Sequence, residues 1–369
     1  MTVGIVGAGQ LGRMLALAGY PLGLDFLFLD PVRAAPAGRI APLLQGPFTS
    51  PKLLSRLARE CDVLTFDWEN ISVDALRTHA ASVHGARICP PIAALATAQD
   101  RVAEKRLFER LRIPTTRWQA VGSRSQLERA LRQVGVPGVL KTRRLGYDGK
   151  GQIRVRTPDD AQRGWDELGK VPLIYEEWVP FDCEVSIIGA RSPGGAIAIY
   201  PLNGNVHSHG ILRLTRAPYG PPRWQRVAAQ HLERCLTHFR YVGVLTMEFF
   251  VRDGRLIANE MAPRVHNSGH WTIEGCVTSQ FENHLRAILD MPLGSTRPTG
   301  FSAMVNLIGD IPPRAGLLAS SGLHLHDYGK QPRPGRKVGH CTFVEPTAVR
   351  RDRRARGLLA KLAPGLRIP

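Results

Sequence analysis

The first 30 residues predict a strand–helix–strand unit, which is the opening of a parallel α/β sheet. An apolar strand over residues 3–6 leads into the glycine-rich run Gly7-Ala8-Gly9-Gln10-Leu11-Gly12. A helical stretch over residues 13–22 follows, and a second apolar strand over residues 25–29 ends at Asp30. Glycines at this spacing permit a tight turn and let an anion approach the N–H groups at the start of the helix. We therefore expect an N-terminal α/β domain that binds an anionic ligand.

Two kinds of ligand fit the glycine-rich turn. A dinucleotide-binding Rossmann unit has such glycines and an acidic residue at the place of Asp30, which takes a ribose hydroxyl, so an NAD(P)-dependent oxidoreductase is one hypothesis. Mononucleotide and sugar-phosphate sites use the same turn. Asp67-Trp68-Glu69-Asn70 follow a strand predicted at residues 62–66, where open α/β sheets bind ligands, although Asn70 or Ser72 also suits a helix cap. The motif alone leaves the ligand open.

Length and cysteine usage bound the class of protein. A chain of 369 residues is expected to form two or three domains. No apolar run approaches the roughly 20 residues needed to cross a bilayer, and the N-terminus enters a strand without a basic leader. The cysteines are scattered without paired spacing, which favours reduced thiols in the cytoplasm over a zinc site or disulfides: Cys61, Cys89, Cys183, Cys235, Cys276 and Cys341.

The net charge of +18 raises the question of a nucleic-acid partner. Of the 49 basic residues 41 are arginines, and they are spread over almost every segment. The densest run, residues 350–356, precedes an apolar helical pattern and is expected to form the solvated face of a terminal helix. The sequence has no helix-turn-helix, zinc-finger or RNA-binding motif. An anionic small substrate fits the charge equally well, so we expect no nucleic-acid partner.

Two central segments suit the binding of a nucleoside triphosphate. A strand over residues 138–141 ends in Lys141, and residues 146–152 (GYDGKGQ) then form either a flexible cover over phosphates or a plain hairpin turn. A later strand over residues 173–175 precedes Glu176-Glu177-Trp178-Val179, a group suited to the edge of an adenine. A further strand is predicted at residues 184–189. Helices are predicted at residues 97–112, 125–134 and 225–239, and residues 201–207 are expected to lead into a loop region before the last of these helices.

A β-hairpin with two carboxylates is predicted within residues 247–271, MEFFVRDGRLIANEMAPRVHNSGHW. Short strands over residues 249–251 and 256–258 flank Asp253-Gly254. A two-residue loop pairs residues whose numbers sum to 507 and places Glu248 and Glu260 on opposite faces. A three-residue loop with a left-handed Gly254 places them on one face as diagonal neighbours, roughly 7–8 Å apart. On one face they require a cation, and Mg²⁺ carrying a phosphate suits oxygen ligands; otherwise they form a solvated acidic edge.

The order of these features resembles the ATP-grasp superfamily. Four motifs, GAGQLGRML (7–15), RRLGYDGKGQ (143–152), NEMAPRVHNSGHWT (259–272) and RPGRKVGH (333–340), are similar to the N5-carboxyaminoimidazole ribonucleotide synthase family. The resemblance implies α/β and α+β architecture in three domains. These are a Rossmann-like (pre-ATP-grasp) domain over residues 1–92, an ATP-grasp domain over residues 93–291 with subdomains 93–171 and 172–291, and a small C-terminal domain over residues 292–369.

The resemblance also implies a reaction. Bicarbonate attacks the γ-phosphate of ATP to give carboxyphosphate, and the amine of 5-aminoimidazole ribonucleotide (AIR) then takes the carboxyl group. Mg²⁺, or Mn²⁺ in its place, would be held by Glu248 and Glu260. ATP binding is assigned to Arg101, Lys141, Gly146, Tyr147, Asp148, Gly149, Lys150, Gly151, Gln152, Glu176, Glu177, Trp178, Val179, Glu184, His207, Asn259 and Glu260.

The remaining residues are assigned to catalysis and to the ribonucleotide. Catalytic roles fall to Arg264, His266, Tyr147 and Asp148, with the proton acceptor for the amine left open between Asp148 and His266. Substrate binding falls to Gln10, Leu11, Glu69, Asn267, Lys330, Arg336 and Lys337. Thr142 and Leu145 lie just before the glycine-rich cover, at positions where the family pattern has proline or arginine and a further glycine. The resemblance implies a homodimer, and a formate-dependent glycinamide ribonucleotide transformylase is the nearest alternative enzyme.

Overall fold

A computed structural model describes residues 1–81, 86–146 and 149–363 of the chain. Its strands form three sheets, of five, four and nine strands. This architecture confirms the prediction of an α/β domain followed by α+β regions. The predicted domain boundaries at residues 92 and 291 stay predictions.

The first sheet is parallel, with the strand order β3-β2-β1-β4-β5. Its core strands are continuous apolar runs, as expected for strands that are covered by helices on both faces. The elements are β1 (Thr2–Val6), α1 (Gln10–Gly19), β2 (Asp25–Asp30), β3 (Leu43–Gln45), α2 (Pro51–Glu60), β4 (Val63–Phe66), α3 (Val73–Ala81) and β5 (Arg87–Ile88). The carboxyl ends of β1 and β4 are neighbours, so the glycine-rich turn lies beside Asp67.

Two helices, α4 (Ile92–Ala98) and α5 (Arg101–Arg110), lead to the second sheet. The prediction of one helix over residues 97–112 is wrong. Asp100 has extended backbone angles and its carboxylate accepts a hydrogen bond from the Val102 N–H at 3.0 Å, so it caps a new helix. Arg101 and Lys105 lie four residues apart on α5 and therefore on one face of it.

The second sheet has the order β6-β9-β7-β8. Its elements are β6 (Trp118–Val121), α6 (Arg124–Val134), β7 (Gly138–Thr142), β8 (Gln152–Val155), α7 (Pro158–Leu168) and β9 (Leu173–Glu177). Strands β7 and β8 are the antiparallel pair that the glycine-rich cover connects. Lys141 on β7 lies opposite Ile174 on β9, next to Glu176.

The third sheet has the order β15-β14-β10-β12-β13-β16-β18-β17, with β11 on β10. Its elements are β10 (Cys183–Arg191), β11 (Ile197–Ile199), β12 (Asn203–Ser208), β13 (Ile211–Ala217), α8 (Pro222–His238), β14 (Gly243–Arg252), β15 (Arg255–Ala262), α9 (Thr272–Gly275), α10 (Gln280–Ile288), β16 (Phe301–Ile308), α11 (Arg314–Leu318), β17 (Leu323–Asp327), β18 (Lys337–Glu345) and α12 (Ala348–Leu362). The loop region predicted between residue 207 and the helix at residue 225 is wrong in part, because residues 211–217 form β13.

The arginine-rich run on α12 is only partly solvated. Arg351 is buried, and its guanidinium donates a hydrogen bond to the Pro218 carbonyl at 2.9 Å. The prediction of a wholly solvated face is therefore wrong at this residue. None of the helices in the described part of the chain has the length and apolar character that crossing a bilayer requires.

Candidate active site

The hairpin between β14 and β15 has a two-residue turn. Asp253 and Gly254 have φ angles of 50° and 71°, and Arg252 pairs with Arg255. Two left-handed residues in succession are the signature of a type I′ turn, which matches the twist of the strands. The predicted three-residue loop is wrong. In a regular ladder this turn would place Glu248 and Glu260 on opposite faces.

A β-bulge brings the two carboxylates back to one face. The register shifts between Phe249, which pairs with Ala258, and Glu248, which pairs with Glu260. Asn259 is the extra residue on β15, so Asn259 and Glu260 together face Glu248. The two carboxylates are direct cross-strand neighbours, and the predicted diagonal arrangement is wrong. The prediction that they share a face is confirmed, through a bulge that the sequence did not indicate.

Helix α5 and the segment after it contact β15 at the bulge. Glu104 accepts a hydrogen bond from the Met261 N–H at 2.6 Å, and the Lys105 ammonium donates to the Asn259 carbonyl at 3.1 Å. The Ala258 N–H donates to the Pro114 carbonyl at 2.7 Å. These contacts satisfy backbone groups that the interrupted ladder leaves unpaired, and thus stabilise the bulge.

One face of the third sheet is a polar row. Glu260, Glu248, Ser186 and Asn203 lie opposite one another across β15, β14, β10 and β12. The other face carries apolar residues such as Val185, Met247 and Phe249, which pack in the core with α8. Alternation along the strands therefore separates a hydrophobic face from a face suited to ligands.

The carboxylate pair is electrostatically strained. Burial and, as the next largest cause, the charge of the neighbouring Glu260 together raise the pKa of Glu248 to about 7. The Arg101 guanidinium lies 3.2 Å from the Glu260 carboxylate. Two opposed carboxylates whose repulsion resists ionisation suit a hard divalent cation with oxygen ligands. Among the described residues no group of three or more His, Cys, Asp or Glu side chains could hold a metal.

Three cations surround Glu176 beneath this pair. Lys105 and Lys141 lie 3.1 and 3.0 Å from its two carboxylate oxygens, and Thr116 donates a hydrogen bond to it at 2.8 Å. Burial acts to raise the pKa of Glu176, but Lys105, Lys141 and Arg101 outweigh it and hold this pKa far below its usual value. Burial lowers the pKa of Lys141. The carboxylate thus orients two lysines, and the predicted contact of Glu176 with adenine stays a prediction.

Lys105 belongs to this group of cations, although the sequence did not lead us to assign it to the site. Its side chain is only 1% exposed, yet it lies in the cationic group beside Arg101 and Lys141. The signal was available, because Lys105 follows Arg101 by four residues on one helix.

The glycine-rich cover has left-handed residues at its base. Gly149 and Gly151 have φ angles of 77° and 69°, and a Cβ on Gly151 would lie 2.7 Å from the Thr142 hydroxyl. Leu145 is exposed and also has a positive φ, 65°, which explains why a glycine is expected there. Gly146, Lys150 and Gln152 belong to the same segment. The predicted catalytic residues Tyr147 and Asp148 lie outside the described residues.

The other residues assigned to ATP lie along β9, β10 and β12. His207 Nδ1 lies 2.9 Å from the Glu184 carboxylate oxygen Oε2, which accepts a hydrogen bond from it. Both side chains are on the polar side of the sheet. Burial acts to lower the pKa of His207, but the hydrogen bond and charge of Glu184 outweigh it and raise this pKa. Glu177 pairs with Arg117, the Trp178 ring lies under the Arg154 guanidinium, and Val179 is buried.

Arg264 and His266 lie between the carboxylate pair and the N-terminal domain. The Arg264 guanidinium is hydrogen-bonded to the Glu69 carboxylate, and His266 Nε2 lies 3.4 Å from Glu248 Oε1. Burial and the neighbouring cations hold the pKa of His266 well below its usual value, so the ring is neutral. A guanidinium and an imidazole N–H next to a metal-type carboxylate are suited to binding an anion there.

The residues assigned to the ribonucleotide come from all three predicted domains, and most of them lie near one another. The Lys330 ammonium donates to the Gln10 side-chain oxygen, and Asn267 exchanges amide hydrogen bonds with Asn306. The charge of Lys337 acts on both Glu69 and Glu248. Arg336 is exposed and donates to the Gln331 carbonyl, whereas Leu11 is a buried core residue. The set therefore adjoins the carboxylate pair through Glu69 and Lys337.

The anion position of the glycine-rich turn is filled by the protein itself. The Asp67 carboxylate accepts hydrogen bonds from the Gly9 and Gly12 N–H groups at 2.7 and 3.1 Å. A Cβ on Gly7 would lie 1.7 Å from Asp67 Oδ1, so this glycine is required by the approach of a side chain. Asp30 accepts from the Ala8 and Val32 N–H groups instead of facing a ribose. The dinucleotide interpretation of the motif is wrong.

Comparisons with protein families cover most of the chain. Residues 1–99 match the ribonucleotide synthetase preATP-grasp domain, and residues 106–281 match the ATP-grasp domain. Residues 302–354 match the phosphoribosylaminoimidazole carboxylase C-terminal domain. The three matches follow one another in the order that the sequence predicted.

Whole-chain relatives agree with these matches. The N5-carboxyaminoimidazole ribonucleotide synthase of Pseudomonas aeruginosa is 48% identical over 93% of this chain and 94% of its own. The crystal structure of the corresponding synthetase from Thermus thermophilus superposes with a TM-score of 0.94, at 47% identity over 100% of both chains. The synthase of Aspergillus clavatus in complex with ADP and 5-aminoimidazole ribonucleotide superposes with a TM-score of 0.90, at 30% identity over 98% of both chains.

These comparisons confirm the predicted enzyme class, an ATP-dependent ligase of purine biosynthesis, and not the oxidoreductase. The match extends through all three domains and includes the carboxylate hairpin and the APRVHNSGHWT segment. The chain belongs to the N5-carboxyaminoimidazole ribonucleotide synthase family of ATP-grasp enzymes.

Proposed function

We propose that this chain carboxylates AIR on its exocyclic amine, with ATP and bicarbonate as co-substrates and carboxyphosphate as the intermediate. The observation that carries the proposal is the direct pairing of Glu248 with Glu260 on one sheet face. Phosphate-binding cations lie on one side of the pair, and Arg264 and His266 lie on the other, joined to the N-terminal domain through Glu69.

Arg101 and Lys141 bind and neutralise the ATP phosphates, and the buried Lys105 supports this group through its contacts with Glu176, Thr115 and the Asn259 carbonyl. Phosphoryl transfer depends on positioning and charge neutralisation more than on covalent participation of the protein, and this cationic group supplies both. Glu176 holds the two lysines in place through an ion pair with each of them. Glu184 and His207 lie on the same polar face and are proposed for the ribose, with Glu177, Trp178 and Val179 toward the adenine.

Glu248 and Glu260, with Asn259 beside them, are proposed to hold Mg²⁺. When bound, the cation neutralises the developing charge on the β- and γ-phosphates and relieves the repulsion between the two carboxylates. Mn²⁺ suits the same oxygen ligands. The raised pKa of Glu248 supports this assignment, because a nearby cation would favour the ionised form of this carboxylate.

Arg264 and His266 are proposed to bind bicarbonate and then carboxyphosphate. The guanidinium neutralises the anion, and Glu69 fixes its orientation. Carboxyphosphate hydrolyses readily, so a buried position between domains favours transfer to the amine over loss to water. Residues 146–152 are proposed to close over the phosphates.

AIR is proposed to bind between the first and third domains. Gln10, Glu69 and Asn267 would contact its ribose and base, and Lys330, Arg336 and Lys337 would neutralise its 5′-phosphate. The proximity of Lys337 to both Glu69 and Glu248 supports an arrangement in which the amine adjoins the carboxyphosphate.

The proposal is tested by measuring ADP and phosphate release with and without each co-substrate. We expect release to require both bicarbonate and AIR, and the product to decompose to AIR on acidification. ATP hydrolysis that is indifferent to AIR would contradict the proposal. Activity with formate in place of bicarbonate would favour the transformylase alternative.

We also propose that the chain acts as a homodimer in the cytoplasm. The family resemblance supports the dimer, and the scattered cysteines, none of them in a disulfide, support a reducing compartment. Light scattering of the purified protein measures the assembly directly. A monomeric mass at working concentration would contradict the dimer.

A further inference from the structure

A chain of buried hydrogen bonds runs from Trp271 to Ser186 behind the carboxylate pair. The Trp271 indole N–H donates to Asn203 Oδ1 at 2.8 Å, and Asn203 Nδ2 donates to the Ser268 carbonyl at 3.1 Å. An indole can only donate and a carbonyl can only accept, so these two contacts fix the orientation of the Asn203 amide. The direction of the remaining hydrogen bonds follows from it.

The hydroxyl of Ser186 is fixed in turn. Its oxygen accepts from Asn203 Nδ2 at 3.3 Å and from Asn205 Nδ2 at 2.9 Å. With both lone pairs occupied by amide donors, the Ser186 O–H donates to Ser268 Oγ, 2.8 Å away. The side chains of this relay are buried, and Ser186 and Asn203 belong to the row that also carries Glu248.

Ser268 then determines which nitrogen of His266 carries the proton. The backbone N–H of Ser268 donates to His266 Nδ1 at 3.3 Å, and Ser268 Oγ lies 2.8 Å from the same nitrogen. A backbone N–H has no lone pair to offer, so Nδ1 is unprotonated. The N–H of the neutral ring is on Nε2, which faces Glu248 Oε1 at 3.4 Å.

We infer that Ser268, supported by Ser186 and Asn203, is a positioning residue that holds His266 as a hydrogen-bond donor toward the carboxylate and phosphoryl side of the site. This inference rests on the proposed function. In this tautomer Nε2 has no lone pair with which to accept the proton of the AIR amine. His266 therefore orients Glu248 and the transferred group, and the proton acceptor is another residue.

The tautomer is measured directly by nuclear magnetic resonance of the full-length protein containing ¹⁵N-labelled histidine. The His266 signals are assigned by their loss in His266→Gln. We expect an unprotonated Nδ1 and a protonated Nε2, both in the free protein and with Mg·ADP. A protonated Nδ1 in the wild-type protein would overturn the inference, whatever the enzyme turns over, so this readout is independent of the proposed function.

Two variants test the role of Ser268 in turnover. Ser268→Ala is expected to lower kcat about 10-fold, at the lower end for residues that orient a ligand, because the backbone N–H still reaches Nδ1. The KM for ATP is expected to stay within about 2-fold, and the His266 signals are expected to show added Nδ1–H tautomer. The matched control is Ser302→Ala, a buried serine whose hydroxyl has no hydrogen-bond partner in the described part of the chain. Wild-type kcat and tautomer in Ser268→Ala would overturn the role of Ser268.

A second pair of variants separates donation from proton acceptance. Glutamine places an amide N–H near the Nε2 position, whereas asparagine places its amide near Nδ1, and neither is a base at neutral pH. We expect His266→Gln to retain at least 10-fold more activity than His266→Asn. Equal loss in both variants, with nucleotide binding retained, would contradict a donor role at Nε2.

Discussion

The glycine-rich turn of the first domain and the carboxylate hairpin of the third sheet both bring acidic side chains into buried positions. At the turn, Asp67 accepts the N–H groups of Gly9 and Gly12. At the hairpin, Glu248 and Glu260 face one another, with Arg101 and His266 at their outer sides. The first carboxylate is satisfied by the chain's own backbone. The two carboxylates at the hairpin repel one another, and their neighbours are cationic side chains of the kind that bind phosphate.

This difference separates a structural anion from a ligand site. A glycine that permits close approach does not specify what approaches, and in this chain a side chain takes the place of a pyrophosphate at the turn. The two like charges that the β-bulge holds together are not satisfied by the chain's own backbone in this way. We therefore propose that the hairpin binds the nucleotide and the metal, while the turn organises the edge of the ribonucleotide site.

The largest expected effect is the loss of one metal carboxylate. Glu260→Gln is expected to lower kcat about 10³-fold. A neutral amide binds a divalent cation more weakly than a carboxylate does, so the charge on the phosphates would be less well neutralised. Steady-state ADP release measures it. Asp253→Asn in the turn of the same hairpin is the matched control and is expected to keep wild-type activity. A Glu260→Gln enzyme of normal rate would remove the distinction between the two regions.

The next effect tests the cations beneath the hairpin. Lys105→Met is expected to reduce the free energy of unfolding by about 3–5 kcal/mol, because it leaves part of the buried charge of Glu176 without its partner. Arg117→Met, which breaks the pair with the neighbouring Glu177 at an Arg117 side chain 67% exposed, is expected to cost less than about 1 kcal/mol. Urea unfolding compares the two. Equal losses would contradict the central position of Lys105.

The turn itself is tested by pH. Burial raises the pKa of Asp67 to about 6 from its usual 3.8, so the folded protein binds this proton more tightly than the unfolded chain. The resulting stability is present below about pH 4 and is lost as pH rises through about 6, an amount of about 3 kcal/mol.

In Asp67→Asn this contribution is absent, so its stability relative to wild type is expected to rise by about 3 kcal/mol between pH 4 and pH 7. Urea unfolding at the two pH values measures it. Asp62→Asn, an exposed carboxylate that also accepts a backbone N–H, is the control and is expected to show a smaller change. A constant difference between Asp67→Asn and wild type would show that Asp67 is not buried as described.

The smallest expected effect is the absence of binding in a titration with NADH. Because Asp67 and Asp30 occupy the N–H groups of the glycine-rich turn, NADH is expected to give no saturable fluorescence change up to about 1 mM, which is a binding free energy weaker than about −4 kcal/mol. A fluorescent ATP analogue serves as the positive control. Saturable NADH binding at micromolar concentration would restore the dinucleotide interpretation.

The sequence predicted the parallel sheet well because its strands are continuous apolar runs followed by polar residues. It also predicted that Glu248 and Glu260 share a face, but for the wrong reason. The turn type was readable from Asp253-Gly254, whereas the bulge at Asn259 depends on contacts with residues 104–115, which are distant in sequence. The buried relay behind His266 depends on the alignment of β10 with β12 and with residues 268–271, which no single segment encodes.

A crystal structure with ADP and Mg²⁺ tests the central claim most directly. We expect the cation to be bound by the carboxylates of both Glu248 and Glu260, with the phosphates toward Arg101, Lys105 and Lys141. A metal held by other residues, or the nucleotide phosphates at the turn of Gly7 to Gly12 with Asp67 displaced, would contradict the account.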